Sequence, residues 1–261
     1  MLDIISLNKF SHLHDGRNII FCKTDYLLSE FQNIKQIDND VILISGNSDF
    51  PIDDYISSKK PKNIKKWYAQ NVLTFDDKII PIPMGIENKD ESIRSGHGIG
   101  YYERVYEKEK ILNSNLNIEP INEIYSNFDV NTNYAHRNLV RDLCVNSSHI
   151  NWEEPNLSLT DFFKKIKTYK MTVCPAGNGV DTHRIWEVLY SGGIPITIKI
   201  GNFKIYELYE QLPIIILDKI QDLENHDLIL EKYENIKQKY SNIDIINYGF
   251  WESKIKSEIN F

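Results

Sequence analysis

The sequence predicts an α/β protein made of two halves, the second a parallel sheet flanked by helices. Apolar runs of strand length alternate with segments of helical period. That alternation is most regular in the second half. A Gly-rich, charged stretch from about Lys89 to Asn115 interrupts it and reads as a crossover between the halves. With 261 residues the chain can bury a sizeable core, as one large domain or two small ones.

In the first half, "NIIFCK" (18–23) reads as a strand and "DYLLSEFQNI" (25–34) as a short amphipathic helix. "DVILISG" (40–46) is a buried strand that ends in the polar cluster "NSDFPIDD". "KIIPIPMGIEN" (78–88) is another extended run, whose prolines place it at a sheet edge or strand end. Gly96–Gly100 resembles a loose phosphate loop, but no strand precedes it, so a connector is the better reading. In the second half, "EIYSNFDV" (123–130) predicts a strand and "NYAHRNLVRDLC" (133–144) a helix. A short strand "HINWEE" follows, then a helix at 158–170 capped by Ser158 or Thr160. Strand "MTVCP", helix 181–191, strand "IPITIK", helix "IYELYEQL", strand "PIIILD" and helix "DLILEKYENIKQKYS" complete the repeat. Right-handed crossovers then give a parallel sheet with helices on both faces.

Composition excludes several classes. The chain is 41% hydrophobic and 26% charged, as soluble globular proteins are. Its net charge of -7 argues against a general nucleic-acid binder. Lys59-Lys60 and Lys65-Lys66 read as solvated surface. Cys22, Cys144 and Cys174 are odd in number and far apart, which suits buried thiols in a reducing compartment rather than disulfides or a zinc site. The N-terminus "MLDIISLNKF" lacks a signal-peptide pattern, and no apolar run reaches the roughly 18 residues of a membrane span. The expectation is a cytoplasmic protein with no membrane span, peripheral contact with a membrane being left open.

Function is concentrated in "CPAGNGVDTHRIWEVLYSGGIPI" (174–196). "PAGNG" is expected to turn at the carboxyl end of a strand, where parallel α/β sheets bind ligands. Gly177 and Gly179 are expected to supply positive φ and close backbone approach. The helix that follows offers free amides to an anion. Ile185, Val188 and Leu189 share its core face, while His183 and Glu187 lie on another with Arg184 at the flank. Arg can fork onto phosphate oxygens, and a carboxylate one turn on can accept ribose hydroxyls. "SGGIP" ends the helix with Gly and starts the next strand with Pro.

The same stretch resembles the signature of the exostosin-like glycosyltransferases: strand, Pro-x-Gly turn, a short polar segment, Arg-x-x-Glu on a helix, then Gly-x-Ile-Pro or a close variant. "EIYSNFDVNTNYAHR" resembles the segment that opens their carboxyl-terminal domain. "ISGNSDFPI", "KWYAQNV" and "IPIPMGIEN" are similar to amino-terminal segments of small microbial and viral relatives. The resemblance implies a GT-B enzyme, two Rossmann-like domains facing across a cleft. Residues 1–110 would be the acceptor-side domain and 111–245 the nucleotide-sugar domain, with a helix at 246–261 packing back on the first. The chain departs from the family in having Ala176 where many relatives carry Arg, and in showing no anchor of the animal exostosin kind.

On that reading the donor site comprises Pro175, Gly177, Asn178, Gly179, Asp181, Thr182 and His183, with Arg184 on the diphosphate, Glu187 on the ribose and Arg137 as a further cation. The resemblance favours a uridine diphosphate sugar as donor and implies metal-independent chemistry with no cofactor. His12, His14 and Asp15 lack a third distant ligand for a metal. Inverting transfer to a glycan acceptor requires a base from the first domain. Asp49, at the end of "DVILIS", is preferred over Glu87, and Asp25 ranks third. Asn47, Ser48 and Asp25 are expected to contact the acceptor. Trp67, Tyr68, Tyr101 and Tyr102 could stack on sugars, though Trp67 and Tyr68 more simply pack a helix. Rival readings are a nucleotide-sugar epimerase, a sulfotransferase, or a non-catalytic relative that binds carbohydrate or nucleotide. "NIIFCKTDY" lacks the Gly-rich turn that a Rossmann epimerase needs.

Overall fold

The structure, a computed structural model, describes residues 2–87, 102–114, 118–237 and 244–259. Its first lobe is a parallel sheet of β1 (Ile19–Lys23), β2 (Val41–Gly46), β3 (Ile64–Ala69) and β4 (Ile79–Pro81), in that spatial order. The period of two in strand side chains divides each strand between two faces. Val41 and Leu43 join Trp67 and Ala69 under α1 (Leu27–Ile34), while Ile42 and Ile44 join Tyr68 on the opposite face. Leu27, Phe31 and Ile34 recur at helical spacing and are all buried. The short α2 (Asp54–Ser58) starts where the Asp53 side chain accepts the Ile56 amide, at 2.8 Å. Trp67 and Tyr68, expected to pack a helix, are instead strand residues. The polar "IKK" before them hid a strand that is buried on both faces only in its second half.

The stretch taken as a crossover without regular structure contains α3 (Tyr102–Leu112). Its inward positions include Lys108 and Leu112, 1% and 4% exposed. A lysine on the buried face erases the apolar period by which a helix is recognised. Gly96–Gly100 and Tyr101 lie outside the described residues.

The second sheet contains β5 (Asn122–Ser126), β6 (Ile150–Trp152), β7 (Tyr169–Val173), β8 (Ile194–Ile198) and β9 (Ile215–Leu217), all parallel, in the order β6-β5-β7-β8-β9. The strand expected over 123–130 stops at Ser126. There the Asn127 amide turns aside to donate to the carbonyls of Glu153 and Glu154, at 3.1 and 3.0 Å. The helices are α4 (Tyr134–Asn146), α5 (Leu159–Lys167), α6 (His183–Tyr190), α7 (Ile205–Tyr209), α8 (His226–Ile236) and α9 (Tyr248–Ser257). Ser158 caps α5 by accepting the Asp161 amide at 3.1 Å. None of the described helices is long and apolar enough to cross a membrane.

The lobes share a core. Ile5, Phe10, Ile44, Tyr68 and Met84 of the first lobe form one buried cluster with Ile185, Trp186, Leu189 and Tyr209 of the second. Helix α9 closes over the first lobe: Trp251 meets Tyr68 edge-on, and Glu258 accepts bonds from Lys66 and Tyr68, both at 2.6 Å. A cluster spanning two sheets couples their unfolding. The chain should therefore melt in a single calorimetric transition. Trp186→Ala should lower the stability of the whole by about 3–5 kcal/mol, and two resolved transitions in the wild type would show the lobes to be independent.

Candidate functional site

The strand order of the second sheet fixes where a ligand can enter. From β5 the chain crosses to β6 on one side, and β7 flanks β5 on the other, so a crevice opens between the carboxyl ends of β5 and β7. Two arginines meet there. Arg137, from the first turn of α4, donates to the carbonyls of Ala176, Asp129 and Pro175 at 2.9, 2.7 and 3.2 Å. Arg184, from α6, donates through Nη1 to the Asn127 carbonyl at 2.5 Å and through Nε to Glu187 at 3.0 Å. Its guanidinium lies 4.0 Å above the Phe162 ring. Arg184 Nη2 has no hydrogen bond to any described residue.

Arg137 is 9% exposed and makes its three hydrogen bonds to carbonyls only. Burial, then the neighbouring Arg184, lower its pKa to about 10. Two like charges held this close leave a local excess of positive potential.

Gly177 and Gly179 do not adopt positive φ, contrary to expectation; among the described residues the glycines that do are Gly16, Gly85 and Gly192. Their lack of a side chain serves packing. A Cβ on Gly177 would stand 3.0 Å from Arg137 Nη2, and one on Gly179 would stand 2.7 Å from Asn71 Oδ1 of the first lobe. The turn is thus pressed against the opposite lobe, and Asn178, at its tip, donates to Asp49 across the cleft at 3.2 Å. The expected Gly C-cap is present: Gly192, with φ +83°, follows α6.

Asp181, expected among the donor ligands, is 2% exposed and joins the lobes instead. Its Oδ1 accepts from Trp186 Nε1 and Tyr209 OH, both at 2.8 Å, and its Oδ2 accepts from the Met84 amide at 3.0 Å. Its own amide donates to Asn71 Oδ1 at 2.9 Å. Burial, partly offset by these hydrogen bonds, pushes its pKa up to about 6. His183 Nδ1 lies 2.7 Å from the Gly85 carbonyl, a second contact between lobes. Thr182 Oγ1, at the start of α6, is buried with no hydrogen-bond partner.

Behind Arg184 lies a buried charge cluster. Lys108 of α3 is ion-paired to Glu87 of the first lobe and to Glu187 of α6. The Glu187 side chain is 6% exposed, with one oxygen facing Lys108 and the other facing Arg184. It sits behind the guanidinium as its anchor, with both oxygens already engaged by cations rather than open to ribose hydroxyls. Burial opposes a charge on Glu87, but Lys108 and, next, His183 hold its carboxyl well below the usual range. Buried, and already satisfied by an ammonium on one oxygen, Glu87 is unsuited to act as a base. Burial likewise opposes the charge on Lys108, yet Glu187 and Glu87 hold its pKa above the ordinary lysine value.

On the first lobe, Asn47 has a left-handed backbone, φ 56°, immediately after β2. Asn47 and Ser48 are buried, Asp49 is half-buried at the cleft, and Asp25 is exposed and paired with Lys23 at 3.3 Å. His14 Nδ1 accepts the Phe21 amide, and Asp15 accepts amides of the turn at 17–19, so both serve local structure. A hollow of about 690 Å³ beside Ser57, Lys62 and Phe75 lies at the opposite, amino-terminal edge of the first sheet, where Lys60 and Asp76 satisfy each other. Asn71 and Lys108 are the residues that sequence reading missed. An asparagine directly after an apolar strand was a faint signal for the first, and the second had none.

No sequence-family profile and no curated protein matches the chain. Solved structures do. An apo structure of OtsA is similar over 98% of this chain and 75% of its own, with a TM-score of 0.52 at 10% identity. A structure of trehalose-6-phosphate from E. coli bound with UDP-2-fluoro glucose is similar over 97% of this chain and 75% of its own, with a TM-score of 0.51 at 10% identity. The likeness is one of fold: α/β, with two parallel-sheet lobes facing across a cleft in the GT-B arrangement.

Two measurements check this geometry. Gly179→Ala forces a methyl against Asn71 and should cost about 1–3 kcal/mol, read as a lower urea midpoint; an unchanged midpoint would mean the lobes are not in contact there. Asp181 has a folded-state pKa of about 6 against 3.8 for the free side chain. The folded state therefore binds its proton more tightly, and the stability this confers is lost as pH rises through about 6. Relative to Asp181→Asn, the wild type should lose up to about 3 kcal/mol between pH 4 and pH 7.

Proposed function

We propose that the protein is a glycosyltransferase that takes a sugar from a nucleotide diphosphate sugar. The observation that supports this most directly is the pair Arg137 and Arg184 at the switch point of the second sheet, with Arg184 Nη2 uncommitted among the described residues. A diphosphate laid along the crevice would be met by that guanidinium edge and by the positive end of α6. These charges would stabilise the leaving diphosphate as the bond from the anomeric carbon to its oxygen breaks. The UDP-2-fluoro glucose bound in a structural neighbour and the exostosin-like signature at 174–196 both favour a uridine donor.

Asp49 is the proposed base. It is half-buried on the acceptor-side lobe and meets Asn178 of the glycine turn, so it stands where donor and acceptor would converge. As the acceptor hydroxyl attacks the anomeric carbon, its proton would pass to the Asp49 carboxylate, inverting the sugar. The reading includes a glycan acceptor held beside Asn47 and Ser48, no metal requirement, and a reducing compartment in keeping with three buried free cysteines.

Binding and transfer separate the two roles. Arg184→Ala should abolish the rise in melting temperature that UDP induces in the wild type. Asp49→Asn should keep that rise and reduce sugar transfer by about 100-fold or more. Wild-type protein that neither binds UDP or GDP nor turns over any of a panel of UDP- and GDP-sugars would sink the proposal.

A further inference from the structure

Lys108 has no place in the donor signature, yet it is the most deeply buried lysine described, with 1% of its side chain exposed. Its helix, α3, brings an ammonium to the junction where the loop after β4 meets α6. Of the two carboxylates it contacts, Glu87 makes no further ion pair among the described residues, and its Oε2 is buried with no hydrogen-bond partner among them. Glu187 spans Lys108 and Arg184, giving one oxygen to each.

A structural staple between lobes could be made with less. A buried ammonium between two carboxylates often stabilises a fold no more than an apolar contact of the same volume would, so its presence asks for a further role. Here the second carboxylate is the anchor of Arg184. Without Lys108, the full charge of Glu187 would fall on Arg184, at 3.0 Å from its Nε, and the guanidinium would present a neutralised pair to its ligand. With Lys108 in place, Glu187 keeps its orienting contact while its charge is shared, and Arg184 keeps an effective positive charge.

We infer that Lys108 is a positioning residue for the donor: it takes up the charge of Glu187 so that Arg184 is both oriented and left electropositive toward a diphosphate. This rests on the donor reading proposed above. Lys108 touches neither donor nor reacting atoms and acts only through Glu187.

The test compares UDP affinity, by calorimetry, with fold stability, by urea midpoint. Lys108→Met should weaken UDP binding about tenfold or more and also lower the midpoint, because Glu87 is left buried without a cation and facing Glu187, whose remaining ion pair is to Arg184. Glu87→Gln combined with Lys108→Met removes one charge of each sign and gives Glu187 an amide neighbour. This double variant should recover much of the midpoint while UDP binding stays weak. Lys108→Arg, which retains the cation, should bind UDP within about threefold of the wild type. If the double variant regains wild-type affinity together with stability, Lys108 is a structural staple and the inference is overturned. If the wild type binds neither UDP nor GDP, the donor reading itself falls, and this inference falls with it.

Discussion

Charge cannot be taken out of water without a partner, and at the junction of the two lobes three charged side chains are taken out together, with a fourth, Arg184, at their solvent-facing end. Glu87, Lys108, Glu187 and Arg184 form a chain that begins on the first lobe, passes through α3 and ends at the crevice of the second sheet. Its members carry two charges of each sign, so the chain is neutral as a whole and strongly unfavourable with any one member removed. The relative placement of the lobes and the direction of Arg184 therefore depend on the same set of contacts. Asp181 adds a second tie of a different kind. It is a buried carboxylate held by neutral donors from α6, from α7 and from the loop after β4.

The position of the crevice follows from topology alone. The first sheet runs β1-β2-β3-β4 in one direction and has no reversal among its described strands, whereas the second reverses at β5. Only at the reversal do the loops after neighbouring strands part and leave room for a ligand between them. Arg137 is the residue that turns this opening into a defined surface. By donating to carbonyls after both β5 and β7 it sets the shape of the Pro175–Gly177 turn, and it brings its own charge with it.

Much of this was legible in the sequence because it is written in local patterns. The alternation of apolar runs located eight of the nine described strands, and Gly192 after α6 could be read from chain chemistry. What escaped was set by distant parts of the chain. Gly177 and Gly179 announced a special turn, but the reason for each glycine is a side chain far away, Arg137 for one and Asn71 for the other. Asp181 reads as an anion-site residue because it precedes a helix, and only the arrival of Met84 and Asn71 converts it to a tie between lobes. Lys108 was invisible for the opposite reason. A lysine in a charged stretch reads as solvent-facing, and nothing short of the folded junction shows two carboxylates waiting for it.

A shared core also bears on how the two lobes can move. Large hinge opening would have to expose Trp186, Tyr209 and Met84, which are 0%, 0% and 2% exposed, and break both bonds of Asp181 to the first lobe, from the Met84 amide and to Asn71. Exchanging each such bond for water costs on the order of 0.5–1.5 kcal/mol, and the apolar surface exposed with it adds about 25 cal/mol per Å². Opening on that scale is therefore opposed mainly by the shared apolar core. The contacts nearer solvent are of another order. Asn178 to Asp49 is a single exposed hydrogen bond between a turn tip and a half-buried carboxylate, and separating them costs little. The side chains of Asn178 and Asp49 are therefore the contact across the cleft that parts most readily, while the glycines beside Asn178 stay packed on Arg137 and Asn71. On the donor reading proposed above, a rigid cationic floor beneath that contact would hold its electrostatics constant while substrate enters, which is the condition under which preorganised charge lowers a barrier.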